Sequence, residues 1–208
     1  MKKGKFITFE GPDGSGKTTV STAVTEKLQN EGYTVRYTRE PGGSEIAEEI
    51  RGIILDPKNT DMDARTEALL YAAARRQHLV DKVIPCLEEG ISVISDRFVD
   101  SSLAYQGYAR HIGAEDVMSI NKFAIEGYMP DKTIYLDVTP EEGLKRISDR
   151  AYLDRLDQES LEFHQAVYQG YRQITGTFRN RIIVVNANRP LEEVIHDAYL
   201  LVKGIIDG

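Results

Sequence analysis

The chain has 208 residues, 41% of them hydrophobic and 28% charged, and a formal net charge of -7. That length suits one domain spanning residues 1–208 with a sizeable core, and the composition is ordinary for a soluble globular protein. The acidic balance argues against a general binder of nucleic acid or anionic membrane, and the lone Cys86 excludes an intramolecular disulfide or a cysteine metal cluster.

The first β-rich run, residues 5–9, opens into Gly11-Pro12-Asp13-Gly14-Ser15-Gly16-Lys17-Thr18. This fits the phosphate-binding pattern G-x-x-x-x-G-K-[ST] in full. Glycines let successive backbone N–H groups approach phosphate oxygens, Lys17 supplies a positive charge, and Thr18 a hydroxyl for magnesium. Val20, Ala23, Val24 and Leu28 then recur at helical spacing, so the loop opens a helix whose N-terminus faces the anion. The basic start, residues 1–5, looks like the opening of a signal peptide. However, the apolar run after it breaks at Glu10-Gly11-Pro12-Asp13, and nowhere is an apolar run long enough to span a bilayer. The expectation is a cytoplasmic protein.

Gly32 ends the first helix before a second strand, residues 33–38, whose mouth is Thr38-Arg39-Glu40-Pro41-Gly42-Gly43-Ser44. Ser44 is placed to cap a helix carrying Arg51. A long helical pattern over residues 63–88 divides near Pro85, with Cys86 as a buried packing residue. Within it Tyr71 and Arg75 share a face. They either stack on and hydrogen-bond a nucleobase or form a half-buried tyrosine with a surface arginine; spacing alone favours the second.

Strand three, residues 91–95, ends in Asp96-Arg97-Phe98. An aspartate there steadies magnesium and its waters. Arg97 points into the same crevice or makes a surface salt bridge. The segment from Asp100 to Gly107 is rich in hydroxyl and amide groups. A helix over residues 114–126 follows, and Asn121-Lys122-Phe123-Ala124 fails the N-K-x-D motif of GTP readers. Strand four covers residues 132–138. Thr139-Pro140-Glu141-Glu142 reads as a capping box opening a helix. Lys145, Arg146, Arg150 and Arg155 then form either a solvated charged face or, over about residues 146–157, a lid that closes on phosphates. Leu161, His164, Val167, Tyr168, Tyr171, Ile174 and Phe178 make one helical stripe, residues 181–185 a fifth strand, and residues 191–206 a last helix.

Strands alternating with helices predict a doubly wound α/β fold: a parallel sheet covered on both faces, with ligands at the C-terminal strand ends. Strands one, three and five lack polar alternation, as expected for strands buried on both sides. The pieces imply two phosphate-bearing ligands, one held by the loop and the other among Arg39, Arg51, Arg75 and Arg97.

The run from Phe9 to Thr19, then Thr38-Arg39-Glu40-Pro41-Gly42-Gly43, Arg75-Arg76-Gln77-His78, Asp96-Arg97-Phe98, Ser101 to Gly107, Tyr135-Leu136-Asp137 and Asp154-Arg155-Leu156-Asp157 resembles the thymidylate kinases, in order and over the whole chain. The resemblance implies a P-loop NTPase-type fold with a five-stranded parallel sheet, ATP and Mg2+, transfer to dTMP in dTTP biosynthesis, and a homodimer. By position it implies that residues 11–19 hold ATP and that Arg39 and Arg97 hold the dTMP phosphate. Arg75 meets the thymine, Tyr71 stacks on it, and Ser102 and Gln106 contact its edge. Tyr105 crowds the sugar where a 2'-hydroxyl would be, and Asp13 approaches the 3'-hydroxyl. Glu40 and Arg51 complete that site, and Thr18 and Asp96 serve the metal. Some members carry an arginine in the loop where this chain has Gly14. This chain looks like the group with the catalytic arginine in the lid, Arg150 or Arg155, and with Arg146 near the adenine. A kinase of another small acceptor and a nucleotide-dependent module without an acceptor remain as alternatives.

Overall fold

The computed structural model describes residues 3–148 and 153–208. Five parallel strands, β1 (Phe6–Glu10), β2 (Val35–Arg39), β3 (Ser92–Asp96), β4 (Lys132–Asp137) and β5 (Ile182–Asn186), form one sheet in the order β2-β3-β1-β4-β5. β1 lies at its centre, with Phe9 level with Asp96 of β3 and Glu10 level with Tyr135 of β4. The phosphate loop, the Arg39–Glu40 turn and the Asp96–Arg97 turn therefore leave three adjacent strands at one edge, where doubly wound sheets bind ligands.

The period of two in the strands sorts the core into layers. Ile7 and Phe9 face α1 (Lys17–Asn30) and α9 (Leu191–Asp207), packing with Val20, Val24, Leu28, Val194 and Val202. Other side chains meet α8 (Leu161–Thr177), where Tyr135 joins Val167 and Tyr171, and Phe6 and Val93 pack with Leu79, Val83 and Phe98. α2 (Glu45–Leu55) and α3 (Ala64–His78) pack together, and α3 also meets α6 (Ala114–Ile125). Asp63 caps α3 by accepting from Arg65 N and Thr66 N at 3.0 and 3.1 Å.

The predicted long helix is divided as expected. After α3 the chain makes a π-helical turn, Leu79–Val83, and then α4 (Ile84–Glu88), with Pro85 in its first turn. α5 (Val99–Ser102) runs into a second π-helical stretch, Leu103–Ala109, and α7 (Pro140–Ile147) follows β4. Among the described residues no helix is long and apolar enough to cross a membrane.

Four local expectations are corrected. β5 is an edge strand with Val184 52% exposed, while β4 is the inner one. Thr139 and Ser44 flank their helices, but neither side chain accepts a capping hydrogen bond. The α8 stripe includes Phe163 and leaves Leu161 exposed, because Phe163 fills the space beside Tyr105. Cys86 is partly exposed and only flanks its cluster.

Candidate active site

Gly11, Gly14 and Gly16 stand at φ 153°, 75° and 83°, backbone angles that let the loop turn its amides inward. Lys17 opens α1 and is 7% exposed; its Nζ donates to the Pro12 carbonyl at 2.8 Å and to Ser15 Oγ at 3.2 Å. Burial, and then the Arg97 charge, push this ammonium down to about 8. Thr18 Oγ1 donates to Asp96 Oδ2 at 2.5 Å, while Asp96 Oδ1 is buried without a hydrogen-bond partner. A hydroxyl beside an orphaned carboxylate oxygen is the chemistry a hard cation takes, directly or through its waters. Among the described residues no cluster of three or more acidic, histidine or cysteine side chains forms a protein-only metal cage.

Lys17, Thr18 and Asp96 share one cavity with Arg39, Arg51 and Arg97, which places the phosphate loop opposite three arginines. Arg97 sits at φ 71° in the turn after β3. It donates through Nη2 to Asp13 Oδ1 at 2.5 Å and through Nη1 to Ser101 Oγ at 3.0 Å. Tyr105 OH donates to Asp13 Oδ2 at 2.7 Å. Burial alone would raise the Asp13 carboxyl, but Arg97 and Lys17 hold it below its ordinary value. Arg39 is half exposed and pairs with Glu48 at 3.1 Å; Arg51 donates to the Pro41 carbonyl at 2.8 Å.

A second cavity opens from the first and is lined by Tyr71, Arg75, Ser102, Tyr105 and Gln106, with Asp13, Glu40, Arg51 and Arg97 common to both. The surface reading of Arg75 fails here. Its side chain is 2% exposed and bonds Glu40 Oε2 at 2.7 Å, Ser102 Oγ at 3.1 Å, the Phe98 carbonyl at 3.0 Å and Asn121 Oδ1. Burial, and then Glu67, raise the Tyr71 phenol, so it stays neutral. The cavity thus offers an aromatic ring and fixed polar groups beside an arginine-lined cavity at the Gly11–Thr18 loop.

A third recess, on the far side of the loop, joins Gly14, Ser15, Gly16 and Thr19 to Arg146, Ala187 and Arg189. Arg146 is braced by Glu142 at 3.0 Å and by the Ala187 carbonyl at 3.1 Å. The two arginines expected in a lid fare differently. Arg150 lies outside the described residues. Arg155 lines none of the three cavities: it is 8% exposed and donates to Glu67 Oε2 at 2.5 Å and to the Ile54 carbonyl at 2.9 Å. The structure therefore does not bring Arg155 to the phosphate loop, because Glu67 claims its charge.

Sequence reasoning missed four residues. Glu10 ends β1 and accepts from Phe98 N at 2.8 Å and Ser101 Oγ at 2.6 Å, bracing the turn that carries Arg97. Burial, and then Asp100, push it up to about 7. His78 Nδ1 meets Glu40 Oε1 at 2.8 Å and its Nε2 meets Thr38 Oγ1 at 2.6 Å, fixing the carboxylate that holds Arg75. Glu67 is wholly buried beneath Gln106. For Glu10 the available signal was a charged residue closing an otherwise apolar strand; for Glu67 and His78 it was their helical spacing from Arg75 on one face of α3. Arg189 carries the same signal as Arg39 and Arg97, an arginine at or just past a C-terminal strand end.

A family model described as Thymidylate kinase matches residues 9–198. The thymidylate kinase of Geobacillus sp. (strain WCH70) is 54% identical over 208 residues, covering 99% of each chain. That of Bacillus pumilus (strain SAFR-032) is 56% identical over 202 residues, covering 96% of this chain and 95% of its own. Among solved structures, thymidylate kinase from Ehrlichia chaffeensis matches with a TM-score of 0.79 at 32% identity, over 97% of this chain and 99% of that one.

Proposed function

This chain belongs to the thymidylate kinase family and transfers the ATP γ-phosphoryl group to dTMP, giving dTDP and ADP on the way to dTTP; we propose that its three joined cavities divide that reaction among them. The phosphate loop with Lys17 and Thr18 takes the ATP phosphates, and the recess with Arg146 and Arg189 takes the adenine. The cavity under Arg75 takes dTMP. The observation that carries this reading is the placement of Arg97, Arg39 and Arg51 in one space with Lys17, next to a cavity lined by Tyr71 and Arg75.

The acceptor is already an anion, so no strong general base is needed. The obstacle is repulsion between two polyanions. Arg97 and Arg39 hold the acceptor phosphate, and Lys17 exchanges its two loop contacts for phosphate oxygens. Asp13 and Tyr105, already bonded to each other, meet the sugar and leave little room for a 2'-hydroxyl. A divalent cation, Mg2+ in this proposal, would be held through Thr18 and Asp96, where it neutralises phosphate charge. The remaining positive charge comes from a lid over about residues 146–157, with Arg150 as its arginine. Arg155 anchors the lid's far end on Glu67. The chain works as one domain, a cytoplasmic homodimer that binds no nucleic acid.

ADP release from ATP and Mg2+ tests the reading, with dTMP, dUMP, UMP, CMP, AMP, GMP and thymidine offered one at a time. Stimulation strongest with dTMP is expected. Stimulation by another acceptor instead would keep the loop chemistry and overturn the assignment of Tyr71, Arg75 and Gln106.

A further inference from the structure

Two buried carboxylates fix the polarity of the groups that face the acceptor base. Arg75 has five N–H groups. Four are taken: Nε by Glu40, the two on Nη1 by Ser102 and Asn121, and one on Nη2 by the Phe98 carbonyl. One Nη2 hydrogen remains, on a residue that lines the cavity. Gln106 lines it too and is 1% exposed; its Nε2 donates to Glu67 Oε1 at 2.8 Å. Glu67 is fully buried and ion-paired with both Arg110 and Arg155. An ionised carboxylate only accepts, so the Gln106 amide must turn its NH2 toward it. The Gln106 amide oxygen takes no hydrogen bond among the described residues and is the atom left for a ligand.

We propose that Glu67 is a specificity-determining positioning residue: by holding the Gln106 amide nitrogen it leaves an acceptor beside the Arg75 donor, and so selects a 4-oxo pyrimidine bearing an N3 hydrogen over a 4-amino pyrimidine. This rests on the assignment of the cavity to dTMP. Thymine offers O4 to Arg75 and N3–H to Gln106. A cytosine ring would set its amino group against the arginine and its bare N3 against the amide oxygen, leaving buried groups unpaired at both positions. If the amide turned freely, one of those mismatches would vanish. The Ser102 hydroxyl rotates to serve either ring and does not discriminate.

Glu67→Gln tests this without changing shape. Arg110 and Arg155 both donate to Oε2, at 3.2 and 2.5 Å, whereas Oε1 has Gln106 at 2.8 Å and only a long contact from Arg110 Nε at 3.4 Å. The new amide therefore keeps its oxygen under the arginines and presents NH2 to Gln106, which turns over and points its own NH2 into the cavity. The measurement is kcat/KM for dTMP and for 5-methyl-dCMP, acceptors that differ only at N3 and C4. The preference for dTMP is expected to fall at least about tenfold, through KM for dTMP, with KM for ATP unchanged. Arg110→Gln disturbs the same ion cluster but leaves Gln106 on Glu67, and is expected to keep the preference. An unchanged preference in Glu67→Gln, or an equal fall in Arg110→Gln, would overturn the role of Glu67. A wild-type protein that ignores dTMP would overturn the acceptor assignment instead. If Glu67→Gln does not fold, side-chain amide NMR of the wild type decides. The Gln106 NH2 hydrogens are expected to be protected from exchange before and after dTMP binds; free exchange without nucleotide would overturn the proposal.

Discussion

Burial holds the Lys17 ammonium in a state that a bound anion would relieve. Burial, and then Arg97, lower its ammonium from 10.5 to about 8 in the ligand-free chain. The folded state thus binds this proton more weakly than the unfolded chain does. The stability it withholds is restored above pH 10.5 and lost as pH falls through about 8, a cost on the order of 3 kcal/mol near pH 7. Bound triphosphate reverses the sign, because it favours the charged form. Two outcomes are expected. The value of kcat/KM for ATP is flat below about pH 8 and drops about tenfold per unit above it, whereas kcat holds to higher pH because the complex keeps the proton. Lys17→Met ends transfer yet melts higher than wild type at pH 7 without nucleotide. A variant that melts lower would show that the loop contacts of Lys17 outweigh the cost of burying its charge.

The phosphate loop and α7 meet backbone to backbone. A Cβ placed on Gly14 would overlap the Gly143 carbonyl, and one on Gly143 would overlap the Asp13 carbonyl. Gly14 also stands at φ 75°, so it has neither space nor angle for a side chain. A side chain at this position has no room unless α7 moves, which agrees with the proposal that the catalytic arginine comes from the lid. Gly14→Ala is expected to cost about 1–3 kcal/mol of stability and to raise KM for ATP more than KM for dTMP. Thermal melts and separate titrations of the two substrates check both. The loop and the five strands were legible in the sequence, because a phosphate pattern and short apolar runs are local signals. Arg75 was not: helical spacing names neighbours along α3, but the groups that bury it come from Glu40, Phe98, Ser102 and Asn121 on other segments. β5 misled for a related reason, since strand order, not composition, decides which strand lies at the edge.

At the scale of the whole molecule, the surface carries large apolar side chains that the core does not need. Phe123 on α6 is 92% exposed and Leu69 on α3 is 55% exposed, and these two helices pack on each other. Ile46 and Ile53 on α2, which packs against α3, are each 50% exposed. Scattered exposed apolar residues are ordinary in a monomer, but a fully exposed phenylalanine among neighbouring helices with further apolar side chains suits a self-complementary interface. α2 and α3 also line the cavity proposed for dTMP, with Arg51 on α2 and Tyr71 and Arg75 on α3. A homodimer closed through them would hold that cavity's walls rigid from outside. Phe123→Asp places a charge where the interface would exclude water, so sedimentation at micromolar concentration is expected to show a dimer for wild type and a monomer for the variant. The variant should also show a raised KM for dTMP, with KM for ATP little changed, since the phosphate loop opens α1, which packs chiefly on α9. If wild type sediments as a monomer, or if Phe123→Asp leaves the dimer intact, self-association does not run through α6.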